Sequence, residues 1–196
     1  MHRGIAVALL LACGCLRERA AAPVPTAVRE TPSAADAGVR FADAVARVER
    51  GDDASARPIF AELLRNDPGL TDYDLAYLAA IDERAGRLSD AAGLVDHLVE
   101  AHPASVWIPH ALAQRARLAA ALGDPRADDL VTRALAASGS DATTRAAALL
   151  VRADLRAPTA PREALALYRE VRRAPGQSAA IARAHSDTLV LARPEL

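Results

Sequence analysis

Residues 72–103 read DYDLAYLAAIDERAGRLSDAAGLVDHLVEAHP, and this stretch limits what the chain can fold into more than any other. Leu75, Leu78, Ala79 and Ile81 recur at helical spacing before Gly86-Arg87. Ala91, Leu94, Val95, Leu98 and Val99 do the same after it, and Pro103 stops the run. The spacing therefore predicts two short amphipathic helices joined at a glycine. Alone, a hairpin of this length leaves its apolar faces in water, so it requires similar hairpins to stack on.

Residues 41–68 supply the first such neighbour. Gly51 lies 35 residues before Gly86 (86 − 51), and at that same offset Ala56 meets Ala91 and Phe60 meets Val95. Leu63 then meets Leu98, Leu64 meets Val99 and Pro68 meets Pro103. Each residue type has a physical role. Glycine adopts the left-handed conformation that ends a helix. Alanine lets the two helices of a hairpin touch closely, and proline keeps the second from running on. A quarter of the chain is Ala, the best helix former, and aromatics are only 3%. The composition favours thin, closely packed helices over a sheet.

With its period near 34 residues and its small residues at Ala44 and Ala79, the pattern resembles the tetratricopeptide repeat. Arg47 departs from it, because an aromatic is usual there. Pro58 is compatible if its helix starts near Ser55, which leaves the proline in the first turn. In a third unit, Pro109 opens a helix that Gly123 closes, and Asp124-Pro125 signals the start of a second helix through Ala137. Asp141 caps a fourth unit running to Arg156. Its second helix, with Pro161 in the first turn, carries Ala164, Tyr168 and Val171 at the spacing of Ala91, Val95 and Leu98. Residues 178–192 form a last helix that covers the open end. The expected fold is all-α: a solenoid of about four helix-turn-helix repeats over residues 39–196, with a C-terminal capping helix.

The start of the chain has a different character. Met1-His2-Arg3 precedes the apolar run GIAVALLLA at residues 4–12, which fits a secretory signal and is too short to span a bilayer. Both cysteines follow at once, in Leu10-Leu11-Ala12-Cys13-Gly14-Cys15. This resembles the lipobox of bacterial lipoproteins, in which the Cys after a small residue is acylated. Cys13 and Cys15 both satisfy the pattern. With no Asp after either, the resemblance implies an outer-membrane lipid anchor facing the periplasm, with signal peptide and lipobox together occupying residues 1–15. Residues 16–38 mix Ala, Pro, Thr, Ser and charge without a period, and read as a disordered tether.

Composition excludes several chemistries. All 24 basic residues are Arg, so a Walker-type phosphate loop and a Schiff-base lysine are ruled out. A net charge of −1 gives no global attraction to nucleic acid. His97 and His102 are five residues apart rather than the three or four that put two ligands on one helical face. Asp72-Asp74, Asp52-Asp53 and Asp128-Asp129 sit where helices open, as unpaired N–H groups favour. Ser186 follows His185 without the glycines of a nucleophile elbow. The sequence therefore predicts neither an enzyme nor a cofactor or metal site.

What remains is a binding surface. In the tetratricopeptide family the first helix of each repeat lines a concave groove for proteins or peptides. The resemblance places Phe41, Val45 and Glu49 of the first unit there, with Tyr73, Ala76, Ala80 and Glu83 of the second. His110, Gln114 and Arg117 of the third follow, then Leu149 and Arg156 of the fourth. Tyr73, Glu83, His110, Gln114, Arg117 and Arg156 are the candidate partner-binding residues, with Trp107 at the inter-repeat turn; Tyr and Arg often dominate binding surfaces. Tyr73 and Trp107 can equally serve as wedges between helices. If Arg117 and Arg156 share the groove, an acidic or C-terminal carboxylate group is the natural guest. The leading expectation is a lipid-anchored periplasmic scaffold for protein–protein interaction in envelope assembly or trafficking. The rivals are a module holding a peptide or peptidoglycan fragment, and a secreted repeat protein without an anchor.

Overall fold

The structure is a computed structural model and describes residues 34–196. All regular structure among the described residues is helical. The helices are α1 (Ala34–Glu49), α2 (Asp53–Asn66), α3 (Thr71–Arg84), α4 (Leu88–Ala101), α5 (Ile108–Leu122), α6 (Ala127–Ala137), α7 (Ala142–Arg156), α8 (Pro161–Val171) and α9 (Gln177–Ala192), with a 3-10 turn at Pro68–Leu70. Each helix packs on the next, and in addition α5 meets α7 and α7 meets α9. The arrangement is an all-α helical-repeat stack.

Burial gives the repeat its register. Ala44, Ala79, Ala116 and Ala153 are each 0% exposed, at spacings of 35, 37 and 37 along the first helices of the four hairpins. The second helices repeat a buried set of Ala56, Phe60 and Leu63; Ala91, Val95 and Leu98; Ala127, Val131 and Ala134; and Ala164, Tyr168 and Val171. The third hairpin obeys the same rule with smaller residues. The core clusters are local: one joins α1, α2 and α3 around Phe60, another α3, α4 and α5 around Leu75 and Leu98, another α7, α8 and α9 around Tyr168. Such a core grows by adding neighbours rather than by enclosing a centre.

The first helices of hairpins one to three end in the same way. The amide of the residue after the glycine donates five residues back, from Asp52 to Arg47 (2.9 Å), Arg87 to Asp82 (2.8 Å) and Asp124 to Ala119 (2.9 Å). That closure needs left-handed backbone at Gly51 and Gly86 (φ 77° and 76°), which glycine alone adopts freely.

Three boundaries differ from the sequence expectation. α1 begins at Ala34, so the last five residues of the tether expected at 16–38 are helical: Ala37 is buried against the Ala44 and Phe60 cluster, and Asp36 sits in the favourable first turn. α2 begins at Asp53, capped by Asp52, whose Oδ1 accepts the Ser55 amide at 3.2 Å, and Pro58 therefore lies in the second turn, not the first. Pro58 and Ala54 are both exposed, so the proline leaves its missing hydrogen bond on the solvent side of the helix. α6 begins at Ala127, because Asp124 closes a turn by accepting the Arg126 amide (2.9 Å) instead of capping the helix. Asp141 does cap α7, accepting from the amides of Thr143 and Thr144 at 2.9 and 3.2 Å.

Arginine forks tie the helices together. Arg84 of α3 holds Asp53 of α2 at 2.7 and 2.8 Å. Asp82 of α3, with no exposed surface, receives Arg57 of α2 (2.6 and 3.0 Å) and Arg87 (3.1 and 2.6 Å). Burial works against the Asp82 charge, but these two guanidiniums outweigh it and hold the carboxyl below its usual range. The planar guanidinium matches carboxylates in a way a lysine ammonium does not.

Candidate functional site

The repeat register brings equivalent side chains of successive first helices into rows. Val45, Ala80, Arg117 and Asp154 form one row, at spacings of 35, 37 and 37. Tyr77, Gln114 and Val151 form another, and Tyr73, His110 and Ala147 a third. The later members of all three rows line one cleft of about 540 Å³ on the inner side of α3, α5, α7 and α9. Ala147, Leu150, Val151 and Ile181 give it apolar surface; Glu83, His110, Gln114, Thr143 and Asp154 give it polar groups.

Glu83, His110, Gln114 and Arg117, four of the expected groove residues, meet here. Arg117 Nε and Nη2 donate to Glu83 Oε1 and Oε2 at 2.6 and 2.7 Å, and Gln114 Nε2 donates to Oε2 at 2.9 Å. Burial opposes the charge on Glu83, yet the Arg117 fork and Gln114 hold its carboxyl below the ordinary range. Crowding by the cleft walls, and then Arg117, lowers the pKa of His110 and favours the neutral ring. The cleft thus presents the His110 imidazole beside an internally satisfied ion pair.

Tyr73 lies elsewhere. It packs edge-on against Phe41 (6.1 Å between ring centres) and Trp107 (5.7 Å). Trp107 also meets Tyr77 and His110. The two aromatics act as wedges between α1, α3 and α5.

Arg156 and Leu149 do not reach the cleft, which corrects their expected placement. Arg156 pairs with Asp128 of α6 at 2.9 Å and Glu163 of α8 at 3.4 Å. Leu149 is buried among α8 and α9 residues. In the fourth hairpin the groove positions are Ala147, Val151 and Asp154. The fourth turn, Ala157-Pro158, has no glycine to align on Gly86 and Gly123, so the register slipped in the sequence; the 37-residue spacing from Ala116 to Ala153 would have fixed it. Arg117 and Arg156 share no site, and the premise for an acidic guest falls with that.

Asp154 is the residue that sequence reasoning missed. Its Oδ1 accepts the Tyr168 hydroxyl at 2.6 Å and faces His185 Nδ1 at 2.8 Å. Burial pushes the Tyr168 phenol up, and its bond to Asp154 adds to the effect. Asp154 also borders two smaller cavities, of about 300 and 310 Å³, beside the main cleft.

Cys13 and Cys15 lie outside the described residues. Among the described residues no helix is long and apolar enough to cross a membrane, and no group of three or more His, Cys, Asp or Glu is arranged to hold a metal ion. No protein-family model, curated protein or solved structure matches this chain.

Proposed function

We propose that the chain is a tetratricopeptide-like scaffold that docks an extended segment of a partner protein in the cleft between α3, α5, α7 and α9. The observation that carries this reading is the convergence of Glu83, His110, Gln114, Arg117, Ala147 and Val151 from three successive hairpins on one cleft of about 540 Å³. Apolar surface interleaved with a few oriented polar groups suits alternating side chains of a peptide better than a reacting centre. The chain acts without catalysis or cofactor in this proposal. The lipobox-like run at Cys13 and Cys15 supports a lipid anchor at the periplasmic side of the outer membrane, and envelope assembly or trafficking as the setting.

Two measurements test it. Ala147→Trp fills the cleft from the α7 side, and in crosslinked pull-downs from membranes it should reduce partner recovery at least about tenfold, the loss of on the order of 1.4 kcal/mol. Undiminished recovery removes the cleft from the interaction. Labelling of the full chain with a radioactive or clickable fatty acid should mark Cys13 or Cys15 and be blocked by an inhibitor of lipoprotein signal peptidase. A chain that takes up no label has no lipid anchor.

A further inference from the structure

The two arginines that line the cleft are each engaged by a carboxylate. Arg117 is engaged by Glu83, and Arg84 by Asp53. Asp154 pairs with His185 and accepts the Tyr168 hydroxyl; no arginine lies within ion-pair distance of it among the described residues, although Arg117 lines two of the same cavities. Both partners contact Oδ1, and the side chain remains 38% exposed. It borders three adjoining cavities. The cavity on its α9 side is walled by Ala157, Leu189 and Ala192, apolar surface that leads to the carboxylate.

We propose that Asp154 anchors a lysine or arginine side chain of the docked segment, with the aliphatic stem of that residue lying along Ala157, Leu189 and Ala192. A long side chain with an apolar stem and a cationic head is what such a lined approach to a fixed anion accommodates. Tyr168 and His185 hold the carboxylate in place before the guest arrives, so little ordering accompanies binding. Oδ2 is the oxygen left for the incoming N–H groups. The inference rests on the cleft being the docking site, and it reverses the charge of the guest that a shared Arg117–Arg156 groove would have taken.

The test uses randomised ten-residue peptides, acetylated and amidated so that side chains carry the only charges, passed over the immobilised full chain. Sequencing of the retained pool should show Lys or Arg enriched about fivefold at one position, as a partly exposed ion pair of about 1 kcal/mol gives. Asp154→Asn should abolish that enrichment while preferences at other positions persist; Asp154→Glu, which keeps the charge, should retain it. Raising the salt should weaken it. A pool without a basic position, or the same enrichment on Asp154→Asn, overturns the anchor and leaves docking in the cleft standing. If no peptide is retained, or Ala147→Trp retains the same pool, the docking reading falls and the anchor with it. Competition by cadaverine as strong as by the peptides would assign the carboxylate to free amines and overturn the proposal.

Discussion

Two buried aspartates on α3 show how differently one residue type is handled eight positions apart. Asp82 is buried with two guanidiniums on it, whereas neither oxygen of Asp74 has a hydrogen-bond partner. Burial, followed by the charges of Asp67 and Asp72, raises the Asp74 pKa to about 7. An unfolded aspartate loses its proton near pH 4. Between about pH 4 and 7 the unfolded state therefore binds fewer protons than the folded one, and this group lowers stability as pH rises through that window. Asp74→Asn should raise unfolding free energy at pH 8 by on the order of 2 kcal/mol and by much less at pH 4. Urea unfolding at the two pH values measures this; an equal effect at both would mean that Asp74 is charged throughout.

Asp82 carries the opposite sign. Its stabilisation is present above the unfolded value and is lost as pH falls through the lower folded one. The two sides of the cluster are also unequal, because Asp82 is fully buried while Arg57 and Arg87 keep contact with solvent. Removing both arginines strands a buried charge and should cost roughly 3 kcal/mol, whereas Asp82→Asn frees two solvated cations and should cost about half that. Chemical denaturation of both variants gives the comparison, and a larger loss for Asp82→Asn would refute the asymmetry. None of this was legible in the sequence. Asp74 looked like an ordinary residue of a helix start, and whether such a residue faces solvent or α2 depends on how the hairpins stack.

At the scale of the element, much could be read in advance. The glycines, capping aspartates and prolines that set helix ends act over a few residues, and so Gly51, Gly86, Gly123 and Asp141 all did what their local sequence implied. Pro58 and Asp124 did not, because Asp52 caps α2 ahead of the expected start and Asp124 closes a turn on the Arg126 amide. Alanine that packs, such as Ala37 in α1, is indistinguishable by type from alanine in a tether. Two glycines of the second hairpin separate backbone from packing effects. A Cβ at Gly86 or Gly93 would meet nothing within 4 Å, but Gly86 has φ 76° and Gly93 lies inside α4. Gly86→Ala should therefore destabilise by about 1 kcal/mol and Gly93→Ala stabilise by up to about 1 kcal/mol. Thermal melts of the pair check the signs, and a stabilising Gly86→Ala would contradict the closure described for α3.

Across the described helices, stability follows from stacking. Clusters that join only neighbouring helices predict graded opening instead of one all-or-none core. The terminal α9 buries only Ala182 and Ser186, so its amides should exchange hydrogen faster than those of α3–α5 by tenfold or more. Uniform protection in a hydrogen-exchange experiment would argue for a single cooperative unit. The register could be read as far as the repeats were regular, and Glu83, His110, Gln114 and Arg117 line one cleft, while Asp154 awaited a register that no glycine marked.

Docking of a protein segment in the cleft is most directly tested by site-specific photocrosslinking in cells that make the full chain. A benzophenone amino acid at Thr143, exposed on the cleft wall, should give a discrete adduct with a partner protein. The same probe at Arg133, exposed on α6 and outside the cleft lining, should give little. Equal adducts from both positions, or adducts from Arg133 alone, would place the partner on another face and contradict the account.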